Sequence, residues 1–268
     1  MKIRRRKVSK HIKMIAVLAA VFLVGTTFYL VTITGLSVWE LLQNLATPSM
    51  STVRIIEGMR EEEVVNRFAK TLNWTEKEKE QLVKSYTLAM KGKSEGYYVP
   101  KTYLVSPEAD PKDISLTLQK TFNTEVLDKQ AKLKSNVINT DTVLKIASII
   151  QREAGGKHDM NIVSGIIWNR MFKGMSLDID ATLQYAKGTE QKWWPKVVPA
   201  DKKIVSPYNT YKHKGLPPSP ISNPGAAAID AALNPKKTKA LFYMHDSYGN
   251  IHTAETYSQH VANIETYY

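Results

Sequence analysis

The chain contains no cysteine. That excludes a disulfide framework, a thiolate nucleophile and a zinc site built on thiolates, and it leaves the redox character of the compartment unrecorded. Nucleotide chemistry has no foothold either. Neither a GxxxxGK[ST] phosphate loop nor a GxGxxG fingerprint occurs, and no GxSxG elbow marks a serine hydrolase. The histidines His11, His158, His213, His245, His252 and His260 are scattered and form no HExxH pair, so no metal site is expected. Internal repeats and low-complexity tracts are missing as well. What remains is 268 residues, 43% hydrophobic and 23% charged, a globular balance with room for one sizeable core or two small ones.

Acid is absent where base is densest. Residues 1–13, MKIRRRKVSKHIK, carry Lys2, Arg4, Arg5, Arg6, Lys7, Lys10 and Lys13, which account for +7 of the formal net charge of +12 and leave +5 for the rest. The run that follows, MIAVLAAVFLVGTTFYLVTIT, is uncharged and mostly apolar. At 1.5 Å per residue, about twenty helical residues span a hydrocarbon layer of roughly 30 Å. The pattern predicts a single transmembrane helix over residues 14–36, with residues 1–13 as a cytoplasmic basic tail and the remainder outside. A cleaved signal peptide is the rival reading, but the apolar stretch is long for one. The basic cluster reads as a topology signal. The mildly basic remainder suits an anionic cell-envelope polymer, and neither zinc-finger spacing nor an RNP-like aromatic motif points to nucleic acid, so no nucleic-acid partner is expected.

Beyond a linker over residues 37–52, VRIIEGM reads as a strand entering a turn, and REEEVVNRFAKTLN carries Val64, Val65, Phe68, Ala69 and Leu72 at helical spacing. A second helix begins at Thr75, with Glu78 three residues on as a capping box. With EGYYVPKTYLV as an extended segment, residues 53–106 form a small α+β unit. Residues 107–268 hold an amphipathic helix with Ile114, Leu118, Phe122 and Val126 on one stripe and a helix starting at Asp141 or Thr140 and stopping at Gly155 and Gly156. A third helix stops at Gly174. A Pro-rich loop, a short helix in AAAIDAAL, a hairpin in LFYMHDSYGNIHTAE and a last helix from near Ser258 complete the chain. Helices and strands do not alternate regularly, which favours an α+β fold over a doubly wound sheet.

One residue breaks its pattern. On the helix from 141, Val143, Ile146, Ala147 and Ile150 mark a core-facing stripe, and Glu153 falls on it, three residues after Ile150 and seven after Ile146. Desolvation penalises an ionised carboxyl, and the negative end of the helix dipole adds to that penalty, so such a group is suited to general-acid work. The other reading of the pattern is a glutamate at the rim of the stripe, paired with a nearby Lys or Arg.

The segments IASIIQREAG, IVSGIIWNRMFKGMSLDIDATLQYAKG and SPYNTYKHKGLPPSPISNPGAAAIDAALNPKKTKALFYM, with VRIIEGM, EGYYVPKTY and HTAETYSQH, resemble the endolytic murein transglycosylase (YceG-like) family over roughly residues 53–268. The resemblance implies a peptidoglycan lytic transglycosylase without cofactor, with Glu153 as catalytic acid and base. It also implies a catalytic domain over residues 107–268, preceded by a partial LysM-like unit over 53–106. The substrate would be the glycan strand of peptidoglycan, and a link to the peptidoglycan-synthesis machinery is a family-level expectation. Asp180 aligns with the family's aspartate before the threonine of DATLQY, where it orients sugar or merely caps the helix. Gln184, Tyr208, Asn209, Tyr211 and His252 are the further candidates for substrate contact. For Tyr208, Asn209 and Tyr211 the alternative is a rigid loop packed by its own tyrosines. The segment ahead of VRIIEGM is shorter than the family usually has, and QREAGG differs from its usual helix end. A hydrolytic muramidase using Glu153 with Asp180 and a membrane-tethered peptidoglycan-binding scaffold are the alternative functions.

Overall fold

The computed structural model describes residues 18, 19, 22, 25, 26, 50–128 and 139–268. The expected membrane helix over 14–36 lies almost wholly outside them. Among the described residues no helix is long and apolar enough to cross a membrane.

The architecture is mixed α+β, with helices and two small sheets. In chain order come β1 (Ser51–Arg54), α1 (Glu61–Leu72), α2 (Glu76–Ala89), β2 (Thr102–Val105) and α3 (Pro111–Phe122), the last running on as a wider π turn over Asn123–Leu127. Then follow α4 (Thr140–Glu153), α5 (Met160–Phe172), α6 (Asp180–Lys187), a 3-10 turn at Pro199–Lys203, α7 (Ala226–Leu233), β3 (Phe242–His245), β4 (Ile251–Ala254) and α8 (Tyr257–Tyr267). Strands β1 and β2 hydrogen-bond as one two-stranded sheet, β3 and β4 as another.

Two compact units emerge. One comprises residues 1–53 and 102–108 and contains most of the first sheet, with Val53, Tyr103 and Val105 buried. The other comprises residues 54–101 and 109–268 and contains every helix from α1 to α8.

Local signals explain the ends of the elements. Asp110 caps α3 by accepting from the backbone N–H groups of Lys112 and Asp113, with Pro111 supplying its fixed φ at the first helical position. At the start of α2 the Glu78 carboxylate accepts from both the N–H and the hydroxyl of Thr75. The cap of α4 is Asn139, one residue ahead of Thr140 and two ahead of Asp141, the expected starts, and its side chain accepts from the N–H of Thr142. Gly174, at φ +60°, ends the chain's run through α5.

The core of the larger unit is laid down by α4. Its Val143, Ile146, Ala147, Ile149 and Ile150 pack with Met160, Val163 and Ile167 of α5, with Ile179 and Ala181 at the start of α6, and with Ala228, Ala231 and Ala232 of α7. Small residues on α7 let it pack closely on α4 and α5. Gly165 serves the same end, since a Cβ there would stand 2.2 Å from the carbonyl oxygen of Lys236. The Pro-rich loop is tied to this core by its own polar groups. Ser148 Oγ accepts from the N–H of Ile221, and Ser222 Oγ donates to the carbonyl of Ser148. Fully buried Asn223 accepts at Oδ1 from the N–H of Tyr98 and donates through Nδ2 to Met59. One amide thereby joins three chain segments.

Candidate active site

Glu153 is the last residue of α4, on the same stripe as fully buried Ile146 and Ile150. Its carboxyl is held from two sides. Oε2 accepts from the Tyr243 hydroxyl of β3 at 2.6 Å, and Oε1 accepts from the backbone N–H of Ala181, in the first turn of α6, at 3.2 Å. Burial raises its pKa above the ordinary value of 4.5; the bonds from Tyr243 and Ala181 oppose that rise, the charge of Asp180 adds to it, and His245 opposes it. The carboxyl is thus fixed in direction and biased toward its protonated form, the condition a general acid needs.

Each holder has its own support. Tyr243 lies on a hairpin with Tyr243 opposite Thr253 and Met244 opposite His252. The hairpin's base is gripped by the end of α5. Asn169 Nδ2 donates to the carbonyls of Thr238 and Ala240, while Arg170 donates through Nε to Leu241 at 2.6 Å and through Nη1 to Leu177 at 2.6 Å. The start of α6 is locked by Thr210, whose hydroxyl accepts from the N–H of Ile179 and shares a hydrogen bond with Thr182. Asp178 enters this turn at φ +52°.

The residues expected from sequence fall into two groups. Asp180, at the first position of α6, is exposed, lies within electrostatic reach of Glu153, and accepts from the Tyr211 hydroxyl at 2.7 Å. Burial and that bond raise the Tyr211 pKa. Glu153, Asp180 and Tyr211 are therefore one cluster. Asn209 is fully buried, its Nδ2 donating to Lys202 and Ile204 and its Oδ1 accepting from the N–H of Tyr211, so the amide holds the loop. Tyr208 packs its ring on Tyr185 at 4.7 Å and bonds Ser219 Oγ at 2.7 Å. Gln184 is half-buried on α6. His252 pairs across the hairpin with Met244, and since side chains alternate along a strand it lies on the face opposite Tyr243. There it bonds Asp246 at 2.9 Å and stacks on Tyr267.

Two contributors escaped the sequence reading. Tyr243 is the first. The second is a His245–Asp159 pair, with His245 Nε2 3.0 Å from Oδ2 of the fully buried Asp159. Gly155 makes room for it: a Cβ there would meet His245 Cδ2 at 3.0 Å and Asp159 Oδ2 at 3.1 Å. The signal available was the alternation in FYMH, which puts Tyr243 and His245 on one face of the strand. Among the described residues no group of three or more His, Asp or Glu side chains gathers as metal ligands.

Comparison with known proteins places this arrangement. Residues 8–266 match the model of the YceG-like family. An endolytic murein transglycosylase of Bacillus subtilis (strain 168) is 36% identical over 174 residues, 65% of this chain and 48% of that protein. An endolytic murein transglycosylase of Streptococcus pneumoniae (strain D39) is 27% identical over 173 residues, covering 63% of this chain and 31% of that protein. The chain thus spans about half or less of the length of the curated relatives it matches. The crystal structure of a YceG-like protein of Listeria monocytogenes superposes with a TM-score of 0.70 at 24% identity, over 85% of this chain and 81% of that one, and shares its fold. By the match across nearly its whole length, the chain belongs to the YceG-like family.

Proposed function

We propose that this chain is an endolytic lytic transglycosylase that cuts the β-1,4 bond between N-acetylmuramic acid and N-acetylglucosamine within peptidoglycan strands and leaves a 1,6-anhydro end. The observation that carries the reading is the single carboxyl of Glu153, held by Tyr243 and the Ala181 N–H and raised in pKa by burial. Glu153 first protonates the glycosidic oxygen, and the C1–O bond breaks through an oxocarbenium-like state. The carboxylate that results is the form to which Tyr243 and the α6 N-terminus donate most strongly. It then takes the proton of the muramic C6 hydroxyl, whose oxygen bonds to C1 of its own ring. The proton given is the proton recovered, and no water is consumed. Asp180 and Tyr211 flank the acid as the substrate-orienting pair.

Asp180 supports one second reading. A carboxylate beside the acid is what a hydrolytic muramidase uses, with water in place of the C6 hydroxyl. The products separate the two. Mass spectrometry of uncrosslinked glycan strands treated with wild type and with Glu153→Gln should give anhydro ends from wild type alone. Reducing ends would establish the hydrolase, and intact strands from both with binding retained would leave a scaffold.

We also propose that residues 14–36 anchor the chain in the cytoplasmic membrane with residues 1–13 inside and the site outside. The basic flank and apolar run support this reading, as does the helical backbone of residues 18, 19, 22, 25 and 26. Residues 37–52 would be the linker and 53–106 a partial LysM-like unit ahead of the catalytic residues 107–268. Acting in cell-wall assembly beside the peptidoglycan-synthesis machinery is part of the same proposal.

A further inference from the structure

Arg152, the neighbour of Glu153 at the end of α4, carries hydrogen-bond donors that the described fold leaves unmatched. Among the described residues no acceptor meets any of its N–H groups, and its Nε is buried without one. Burial holds its pKa below the usual arginine value, opposed by the charges of Glu63 and Glu153. Other arginines of the same unit are employed structurally: Arg60 bonds Glu62 and the carbonyl of Tyr185, and Arg170 bonds Leu241 and Leu177.

Arg152 is nonetheless held in place. Its guanidinium carbon lies 3.8 Å from the centroid of the Trp194 ring. On the way it passes Gly58, whose φ of +83° suits glycine and where a Cβ would stand 3.3 Å from Nη1. A guanidinium held over an indole keeps its planar array of donors, the fork that matches a carboxylate. Adjacent helix residues diverge by about 100°, so Arg152 leaves the end of α4 on a different side from Glu153.

We propose that Arg152, stacked on Trp194, is a carboxylate-binding subsite for the peptide stem of the strand that Glu153 cuts. The inference rests on the function proposed above and deepens it. On each muramic acid the stem hangs from the lactyl group and carries its first free carboxylate on its second residue, roughly 10 Å from the glycosidic bond at about 3.5 Å per extended residue. A fork beside the acid therefore makes the enzyme select stem-bearing strands over denuded ones. Phosphate on the sugar is the other anion with matching chemistry, and the test separates it.

With the full chain, kcat/KM is measured on uncrosslinked strands bearing stems and on the same strands after an amidase has removed the stems and the lactyl carboxylates so exposed have been converted to amides. Hydrogen bonds to a charged group are worth about 1.5–3 kcal/mol, so wild type should prefer stem-bearing strands by about tenfold or more. In Arg152→Gln that ratio should fall to near one, mainly through KM, with Arg152→Lys and Trp194→Ala between. Equal rates by wild type on both strands would overturn the subsite, as would a preference that survives Arg152→Gln. Binding by Glu153→Gln gives a readout independent of turnover. In that background stem-bearing strands should bind more tightly than denuded ones, and adding Arg152→Gln should erase the difference. Denuded strands bearing phosphate and binding as well as stem-bearing ones would reassign the fork to phosphate. Absence of anhydro ends from wild type would defeat the catalytic reading, while the binding comparison still judges Arg152 by itself.

Discussion

Replacing Tyr243 with phenylalanine removes one oxygen and with it the shorter of the two bonds to the proposed acid, 2.6 Å to Glu153 Oε2. A neutral hydrogen bond contributes about 0.5–1.5 kcal/mol and one to a charged group about 1.5–3, so the hydroxyl favours the carboxylate over the acid by about 1–1.5 kcal/mol. That difference corresponds to about one pKa unit. Burial already raises the Glu153 pKa, and Tyr243 is the largest of the groups opposing it, so Tyr243→Phe should raise it further. The acid step needs the protonated form, so the upper limb of the kcat/KM profile against pH should move up by about one unit. Activity at the optimum should fall about tenfold, because the carboxylate formed as the acid gives its proton to the glycosidic oxygen has lost its best donor. The assay is the rate of anhydro-end formation across pH 5–9. An upper limb that stays in place, or moves down, would refute the assignment of that limb to Glu153.

The other predictions follow from the same geometry. Glu153→Gln should lower turnover by about 10²–10⁴-fold or more, the range of general acid–base catalysis, in a rate assay on glycan strands. It should also raise the melting temperature at neutral pH. A carboxyl with a raised folded pKa costs stability as pH climbs past its unfolded value, and the amide removes that cost. Glu95 gives the clearest case, since burial pushes it up to about 8 while its carboxylate accepts from the N–H of Glu61. Between pH 4.5 and about 8 the folded chain holds a proton that the unfolded chain has released, so stability should fall as pH rises, by up to about 1.4 kcal/mol per unit. Urea unfolding of Glu95→Gln across that window should show a flatter slope than wild type. Asn223→Ala, which strands the Tyr98 N–H while the Met59 carbonyl keeps the backbone N–H of residue 223, should cost about 1–3 kcal/mol in the same measurement.

Periodicity made much of this legible. The α4 stripe, the capping box at Thr75 and the glycine stop at Gly174 are short-range patterns, each set by residues within one or two turns, and Glu153 stood out because it broke one. Resemblance supplied the chemistry that periodicity could not. What stayed hidden is long-range. Tyr243 meets Glu153 across 90 residues of sequence, and nothing in FYMH announces that partner. Asn209 was misleading for a related reason, because a polar side chain in a Pro-rich loop looks available until its carbonyl partners, Lys202 and Ile204, fold around it. His252 sits in a family-like HT pair, but strand alternation turns it to the face opposite Tyr243. Arg152 lies off the α4 stripe and no local pattern singles it out; the Trp194 ring against it, 42 residues on, marks it out only in the fold.

The central claim is that one carboxyl, Glu153, cuts the strand with the substrate's own C6 hydroxyl as nucleophile. Digestion of uncrosslinked strands in ¹⁸O-labelled water, read by mass spectrometry, tests it most directly. The account predicts new ends that are lighter than hydrolytic ends by one water and carry no label, formed by wild type and not by Glu153→Gln. Labelled reducing ends, or anhydro ends formed as fast by Glu153→Gln, would contradict it.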